Sequence, residues 1–155
     1  MEERTLLLIK PDAVHNGNIG EIITIIERNY YHIIRLKMLK MDEQLAKEFY
    51  AVHKNKHFFN DLIKFMTSGN IVALELKREN AITHLRKLIG VTDSRKAEKG
   101  TIREKYGTDN RVNAVHASDS PQSAEQEIKT IFQENKITRC QKDKMSRRQD
   151  NKITR

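Results

Sequence analysis

The chain has 155 residues, of which 37% are hydrophobic and 6% aromatic, a composition that suits one modest packed domain. Its formal net charge is +8, but residues 133–155 hold eight basic and three acidic side chains, so the excess indicates a charged tail more than a nucleic-acid-binding fold. No apolar run approaches the roughly 18 residues of a membrane span, no secretory-signal pattern is present, and the single cysteine, Cys140, excludes an intrachain disulfide, so we expect a cytoplasmic protein.

The first part of the chain predicts a strand, a helix and a second strand. Thr5–Ile9 is a short, continuously apolar run that Pro11 ends, as in a buried strand. After a turn at 16–17, isoleucines recur at helical spacing and predict a helix over about 19–29. Residues 32–41 alternate and predict a strand with one solvated face. The apolar side chains that share the other face are Ile34, Leu36 and Met38.

The remaining elements complete a mixed fold. Helices are predicted over 42–52, 58–67, 81–89 and 121–132, and strands over 71–76 and 112–116. Residues 91–111 form a long, charged connection, and connections of that length in compact domains are usually functional. The order of elements predicts an α+β fold, a ferredoxin-like βαββαβ sandwich with a four-stranded antiparallel sheet and helices on one face.

The C-terminal part differs from the rest of the chain. Residues 1–134 are predicted to form the domain, and residues 135–155 a basic tail that is mostly disordered because its hydrophobic periodicity is lost. Within the tail, the sequence Asn-Lys-Ile-Thr-Arg occurs at 135–139 and again at 151–155. A charge run of this kind is usually a solvated tail, and weak binding of polyanions is the functional alternative.

One histidine has neighbours that suggest chemistry. There is no Walker A, GxGxxG, HExxH or GxSxG motif. His116 is predicted at a strand end, between Asn113 and Ser118, ahead of a capped helix that carries Glu127. Histidine titrates near neutrality and can act as a nucleophile toward phosphorus. From these residues alone a surface or capping role explains His116 better, and five other histidines compete with it: His15, His32, His53, His57 and His84.

A resemblance to a known family changes that balance. The opening segment Arg4–Ala13 looks like the start of the nucleoside diphosphate kinases. Further matches follow in the family's order at Ile19–Ile23, Phe58-Phe59, Met66–Gly69, Glu79–Ile82, Gly100–Arg103, Asn113–Ser120 and Ser123–Ile128. Together they cover about residues 3–132, and so many ordered matches with the family's spacing are a specific signal.

The resemblance implies an activity, a metal and an assembly. The chain would transfer the γ-phosphate of a nucleoside triphosphate, typically ATP, to a nucleoside diphosphate by a ping-pong mechanism through phosphohistidine at His116. Mg²⁺ would be held mainly by the nucleotide phosphates, with no dedicated protein ligands. Family members are usually hexamers and sometimes tetramers or dimers, so a homo-oligomer is expected, with the hexamer favoured.

The same resemblance assigns roles to single residues. Lys10 would contact phosphate and sugar, Asn113 would hold the sugar 3′-hydroxyl, and Phe58 would stack on the base. The implied phosphate-binding residues are Arg86, Thr92 and Arg103. The implied groups around the histidine are Tyr50, Ser118 and Glu127, with Glu127 orienting the imidazole. Without the resemblance, Lys10 would be interpreted as an ordinary strand-end lysine, Arg86 and Arg103 as solvated charges on helix faces, and Phe58 as a core residue.

Several positions depart from the family pattern. Ala117 stands where the residue after the histidine is normally Gly, and an added methyl would be costly if φ were positive there. Ser94 stands where the loop usually has Pro, which bears on subunit packing. His57 replaces another Pro, and Glu104-Lys105 replace a common Gly-Asp. None of these changes removes an implied catalytic side chain.

A hypothesis from another functional class also fits part of the sequence. The fold could be retained as an interaction or nucleic-acid-binding module, with the basic tail as its binding segment. The presence of the whole implied set of phosphate and sugar contacts around His116 argues against that hypothesis.

Overall fold

The computed structural model describes residues 1–133, and its centre is a four-stranded sheet in the order β2-β3-β1-β4. The strands are β1 (Glu2–Ile9), β2 (His32–Leu39), β3 (Ile71–Glu79) and β4 (Val115–Ala117). Every pairing is antiparallel, as predicted. Leu6, Leu7, Leu8 and Ile9 have no exposed surface, so the continuous apolar run places β1 inside the sheet with both of its faces covered.

Seven α-helices and two short 3₁₀ turns surround the sheet in the described part of the chain. The helices are α1 (Pro11–His15), α2 (Ile19–Arg28), α3 (Glu43–Phe49), α4 (Phe59–Met66), α5 (Ala81–Ile89), α6 (Ile102–Tyr106) and α7 (Pro121–Ile131). The 3₁₀ turns cover Ala51–His53 and Ser94–Lys96. Within residues 1–133, no helix combines the length and apolar composition needed to cross a bilayer.

The helices lie on both faces of the sheet, so the expectation of helices on one face was wrong. The crossover helices α2 and α5 pack with α1 and α6 over one apolar cluster, which includes Leu7 and Leu74. The additions to the βαββαβ plan, α3, α4 and α7, cover a second cluster on the other face, which includes Leu8 and Ala73. Because both faces of the central strands are apolar, a single helical layer would leave one of them exposed to water.

Three predicted boundaries need correction. The turn expected near 16–17 is preceded by a short helix that begins at Pro11, since proline is well suited to the first helical position. The connection 91–111 contains α6, whose N-cap Thr101 accepts a hydrogen bond from the amide of Glu104. The last strand covers Val115–Ala117 instead of 112–116, because the chain turns sharply at Ala114, where φ is 69°.

The edge strand β2 exposes apolar side chains. Leu36 and Met38 lie opposite Leu74 and Val72 of β3, yet they remain 51% and 53% exposed. The register shifts between Ile33 and Arg35, and Ile34, in that irregularity, is 42% exposed. The side chains predicted to share an apolar face are therefore surface residues. Sequence alternation alone does not distinguish an exposed apolar face from a buried one.

The predicted tail lies outside the described residues. This applies to its repeated pentapeptide and to Cys140. The domain boundary at residue 134 stays a prediction.

Candidate active site

His116 is held at the middle of β4 by a carboxylate on α7. Residue 116 pairs with Leu8 of β1, and its Nε2 atom lies 3.0 Å from Oε1 of Glu127. The other carboxylate oxygen, Oε2, accepts the hydroxyl of Ser118 at 2.5 Å. Ser118 is itself fixed, because its Oγ accepts the amide of Leu6 at 3.3 Å. Since a carboxylate only accepts hydrogen bonds, Nε2 carries the imidazole proton and Nδ1 keeps a lone pair.

Two aromatic rings form a wall beside the imidazole. Phe49 and Tyr50, at the end of α3, meet His116 edge-on with ring centroids 5.2 and 6.0 Å away. Tyr50 is 4% exposed, and its buried hydroxyl has no hydrogen-bond partner within residues 1–133. Burial, together with the nearby charge of Glu127, raises the pKa of Tyr50 above its ordinary value, so its hydroxyl stays protonated and can donate.

Lys10 lies directly after β1 and is buried instead of solvated. Its side chain is 6% exposed, and Nζ donates to Oδ1 of Asn113 at 2.8 Å and to the carbonyl of Arg111 at 3.3 Å. Burial and, after it, the charge of Arg103 lower the pKa of Lys10 to about 7, and the charge of Asp12 opposes this shift. A buried amine in this state gains a full charge most readily when an anion approaches it.

Arg103 and Arg86 contact the backbone on either side of His116. Arg103 is 4% exposed and donates to the carbonyls of Val115 at 2.9 Å and Gly90 at 3.0 Å. Its Nε has no partner in the described part of the chain. Arg86 is exposed and donates to the carbonyl of Ala117 at 3.4 Å. Burial, then the charge of Arg86, lowers the pKa of Arg103 to about 10. Two guanidinium groups therefore lie against the strand that carries the imidazole.

Asn113 joins the loops that border this strand. Its amide nitrogen donates to the carbonyls of Thr92 at 2.9 Å and Asn110 at 3.2 Å, and its oxygen accepts Lys10. Thr92 itself is exposed, and the contact with Asn113 uses its backbone. The connection 91–111, predicted to be functional from its length, thus ends at the candidate site.

Phe58 lies at the edge of the group, directly before α4. It is half-buried, with its ring centroid 5.7 Å from that of His53 and 5.5 Å from that of His57. His53 stacks on Tyr50 at 6.4 Å. The aromatic side chains therefore form a continuous path from His116 through Tyr50 and His53 to Phe58.

Comparisons with known proteins decide the family. Residues 3–137 match the family described as nucleoside diphosphate kinase. The chain belongs to that family. A nucleoside diphosphate kinase of Staphylothermus marinus is 53% identical over 135 residues, which are 87% of this chain and 96% of the relative. The family, and with it the expected phosphotransferase class of enzyme, is confirmed.

Solved structures agree with the fold. The nucleoside diphosphate kinase of Aquifex aeolicus superposes with a TM-score of 0.83 at 45% identity, over 85% of this chain and 96% of that one. The enzyme of Halobacterium salinarum, solved in complex with CDP, superposes with a TM-score of 0.84 at 39% identity, over 87% of this chain and 90% of that one. The predicted ferredoxin-like α+β fold is confirmed.

Two departures from the family pattern have a clear structural outcome. Ala117 lies in β4, 2% exposed, and its φ is not positive, so the methyl group creates no backbone strain there. Ser94 begins a 3₁₀ turn and packs so closely on Gly107 that the latter has no room for a Cβ. The loop that lacks the family's proline is thus held by a serine–glycine contact.

Sequence reasoning missed Asp12, which accepts the amide of Ala114 at 3.0 Å two residues before His116. Asp12 was part of the resembling segment, but no role was assigned to it. The sequence carries no signal for this contact, because the turn at Ala114 has neither glycine nor asparagine at its positive-φ position.

The described residues contain no cluster of three or more histidine, cysteine or acidic side chains that could hold a metal ion. The carboxylate nearest the imidazole, that of Glu127, is occupied by His116 and Ser118. A site lined by Lys10, Arg86 and Arg103 suits an anion better than a bare cation. Mg²⁺ would therefore fit here when carried by nucleotide phosphates.

Proposed function

We propose that the chain moves the γ-phosphate of a nucleoside triphosphate to a nucleoside diphosphate through a phosphohistidine on Nδ1 of His116. The observation that carries the proposal is the hydrogen bond between His116 Nε2 and Glu127, which leaves Nδ1 as the free nucleophile. The family membership supplies the substrate class.

The reaction has two balanced halves. In the first, the lone pair of His116 Nδ1 forms a bond to the γ-phosphorus while the bond to the β–γ bridging oxygen breaks, and the nucleoside diphosphate leaves with that electron pair. In the second, a terminal oxygen of another nucleoside diphosphate attacks the same phosphorus, and the electrons of the P–N bond return to Nδ1. Glu127 stabilises the positive charge that the imidazole carries while it is phosphorylated.

Three cations would bind the phosphate oxygens. Two of them, Arg86 and Arg103, donate to the backbone carbonyls on either side of His116. The third, Lys10, donates to the side chain of Asn113, which also binds the backbone of Thr92. Charge on the transferred group is spread over its oxygens in the transition state, so fixed donors aimed there act mainly on the rate. Arg103 Nε and the Tyr50 hydroxyl, which have no partner within residues 1–133, are two further donors available for that purpose.

The nucleoside would lie between Asn113 and Phe58. Asn113 and Lys10 form one hydrogen-bonded pair that can reorganise around a sugar hydroxyl, and the Phe58 ring offers a stacking surface that makes no base-edge hydrogen bonds. Stacking without base-edge contacts tolerates different bases. This arrangement favours an enzyme of low base selectivity.

Mg²⁺ would enter with the nucleotide. When bound, it would neutralise negative charge shared by the β- and γ-phosphates. The protein side chains act around it by orienting the phosphates through the three cations.

We infer that the chain assembles through the β2 edge. The edge strand β2 exposes an apolar strip formed by Ile34, Leu36 and Met38. Such strips are unusual on monomers unless they serve an interface. A second copy of the chain is the occupant consistent with the expected homo-oligomer. The size of that oligomer, the cytoplasmic location of the protein and weak polyanion binding by the tail stay predictions.

A labelling experiment tests the function. The protein is incubated with γ-labelled ATP, freed of nucleotide, and mixed with an unlabelled nucleoside diphosphate. The proposal predicts a labelled protein that passes its label to the diphosphate, and His116→Ala should lose both steps. His32→Ala, an exposed histidine on β2, is the matched control and should behave as the parent. Labelled protein in the His116→Ala variant would refute the assignment.

A further inference from the structure

A backbone turn in a sparsely populated conformation lies two residues before His116. Ala114 has φ of 69° and no exposed surface. That region of backbone space is readily occupied by glycine and is unfavourable for a residue with a Cβ. Something outside the turn must therefore hold Ala114 in place.

The segment that follows β1 supplies the restraints. Oδ2 of Asp12 accepts the amide of Ala114 at 3.0 Å, and the amide of Lys10 donates to the carbonyl of Ala114 at 2.8 Å. The turn also closes on itself, because the amide of Val115 donates to the carbonyl of Asn113 at 2.8 Å. Both peptide polar groups of the strained residue are thus bound by residues 10–12.

This turn separates two groups that must face one nucleotide. The side chain of Asn113, on one side, is bound by Lys10 Nζ. His116, on the other side, is already in β4 and bound by Glu127. A relaxed Ala114 would change the direction in which the chain enters β4, and with it the distance from the amide of Asn113 to the imidazole.

We propose that Asp12 is a positioning residue that locks the Ala114 turn and thereby aligns His116 with the bound nucleotide. The proposal rests on the function proposed above. Asp12 does not contact the imidazole; it acts through the amide of Ala114. Its second oxygen, Oδ1, is buried and has no partner among the residues that the structure describes. Burial raises the pKa of Asp12, and the Ala114 amide and Lys10 oppose that shift.

A double-mutant cycle tests the mechanism. In Asp12→Ala the amide of Ala114 loses its acceptor, and the single-turnover rate of protein phosphorylation should fall roughly 10- to 100-fold, as for loss of a hydrogen bond to a charged group. Ala114→Gly removes the conformational penalty. In the Ala114→Gly background, Asp12→Ala should therefore lower the phosphorylation rate by less than about fivefold.

Asp12→Asn separates the hydrogen bond from the charge. It keeps an oxygen that can accept the Ala114 amide, and should retain most of the rate. If Asp12→Asn lowers the phosphorylation rate as much as Asp12→Ala does, Asp12 acts through its charge on Lys10. That result would overturn the proposal. The proposal would also be overturned if Asp12→Ala lowered the phosphorylation rate by the same factor in the parent and in the Ala114→Gly background.

Glu3→Ala is the matched control. The carboxylate of Glu3 also accepts a backbone amide, the amide of Ile82 at the start of α5, at 3.2 Å. Its loss should lower the melting temperature and leave the phosphorylation rate unchanged. Parent and His116→Ala proteins are run alongside, so that a parent that is never labelled sinks the proposed function, whereas a labelled parent with an unaffected Asp12→Ala variant sinks only the role of Asp12.

Discussion

Glu127 binds the Nε2 atom of His116 at 3.0 Å with one carboxylate oxygen and accepts the Ser118 hydroxyl with the other. A single side chain on α7 therefore determines which imidazole nitrogen on β4 keeps its lone pair. Lys10, Arg86 and Arg103 gather positive charge around the same strand.

Glu127→Gln should slow phosphorylation of the protein. The amide can accept from only one of the two partners, so the imidazole loses a charge-assisted hydrogen bond worth about 1.5–3 kcal/mol, which is roughly a 10- to 100-fold fall in rate. Rapid-quench labelling with γ-labelled ATP measures it. Glu125→Gln, an exposed acid on the same helix, is the control, and equal rates for the two variants would contradict the role of Glu127.

Lys10→Met should change how folding stability depends on pH. The pKa of Lys10 falls from 10.5 to about 7 on folding, so between these values the unfolded chain binds a proton that the folded chain has released. Stability of the parent then rises with pH across this window, by at most about 1.4 kcal/mol per unit, and the penalty of the buried cation is largest below pH 7.

The variant lacks this penalty. Its free energy of unfolding relative to the parent should therefore decrease steadily from about pH 7 to 10.5, as urea titrations at several pH values would show. Lys54→Met, at an exposed position, should give a difference that does not vary with pH. A flat difference for Lys10→Met as well would mean that Lys10 keeps its charge when buried.

Tyr50→Phe should separate activity from stability. The buried Tyr50 hydroxyl has no partner among residues 1–133, so its removal should leave the free energy of unfolding unchanged or raise it by about 1 kcal/mol. If the hydroxyl donates to the phosphoryl group, the same change should slow phosphorylation of His116 severalfold. Tyr30→Phe, 81% exposed, should alter neither quantity, and a stability loss without a rate change for Tyr50→Phe would assign the hydroxyl a packing role only.

Leu36→Glu combined with Met38→Glu should reduce the size of the assembly. Both side chains lie on the exposed edge strand, and two buried charges without partners would oppose pairing of subunits there. Light scattering coupled to gel filtration measures the mass. Val52→Glu, at a position that is 84% exposed in a 3₁₀ turn, should leave the mass unchanged, and an unaltered mass in the β2 variant would exclude this strip as the interface.

The sheet and the long helices could be predicted from the sequence because their signals are local. Leu6–Ile9 form an unbroken apolar run, and Ser120 followed by Pro121 gives the start of α7, where Ser120 accepts the amide of Ser123 at 3.1 Å. The order of strands and helices then restricts the topology to few choices. The resemblance supplied the site residues, and the structure brings His116, Glu127, Ser118, Tyr50, Lys10, Arg86, Arg103 and Asn113 together.

What could not be predicted depends on contacts distant in sequence. Ala114 adopts a conformation typical of glycine, and the carboxylate that accepts its amide belongs to Asp12, 102 residues away. Leu36 and Met38 have the pattern of a buried face, yet within residues 1–133 no helix covers them. Arg103 looks like a solvated helix charge, but folding buries it against the carbonyl of Val115. For Ala114 and Arg103 the decisive partner lies on a distant segment, whereas for Leu36 and Met38 the structure of residues 1–133 supplies none.

The position of the phosphoryl group on the protein tests the central claim most directly. Protein labelled with ¹⁵N in its histidine rings is phosphorylated by ATP, and phosphorus–nitrogen couplings identify the bonded atom by NMR. Because Glu127 holds Nε2, the phosphoryl group should be attached to Nδ1 of His116, and the signal should vanish in His116→Ala. Attachment to Nε2, or to any other residue, would contradict the account.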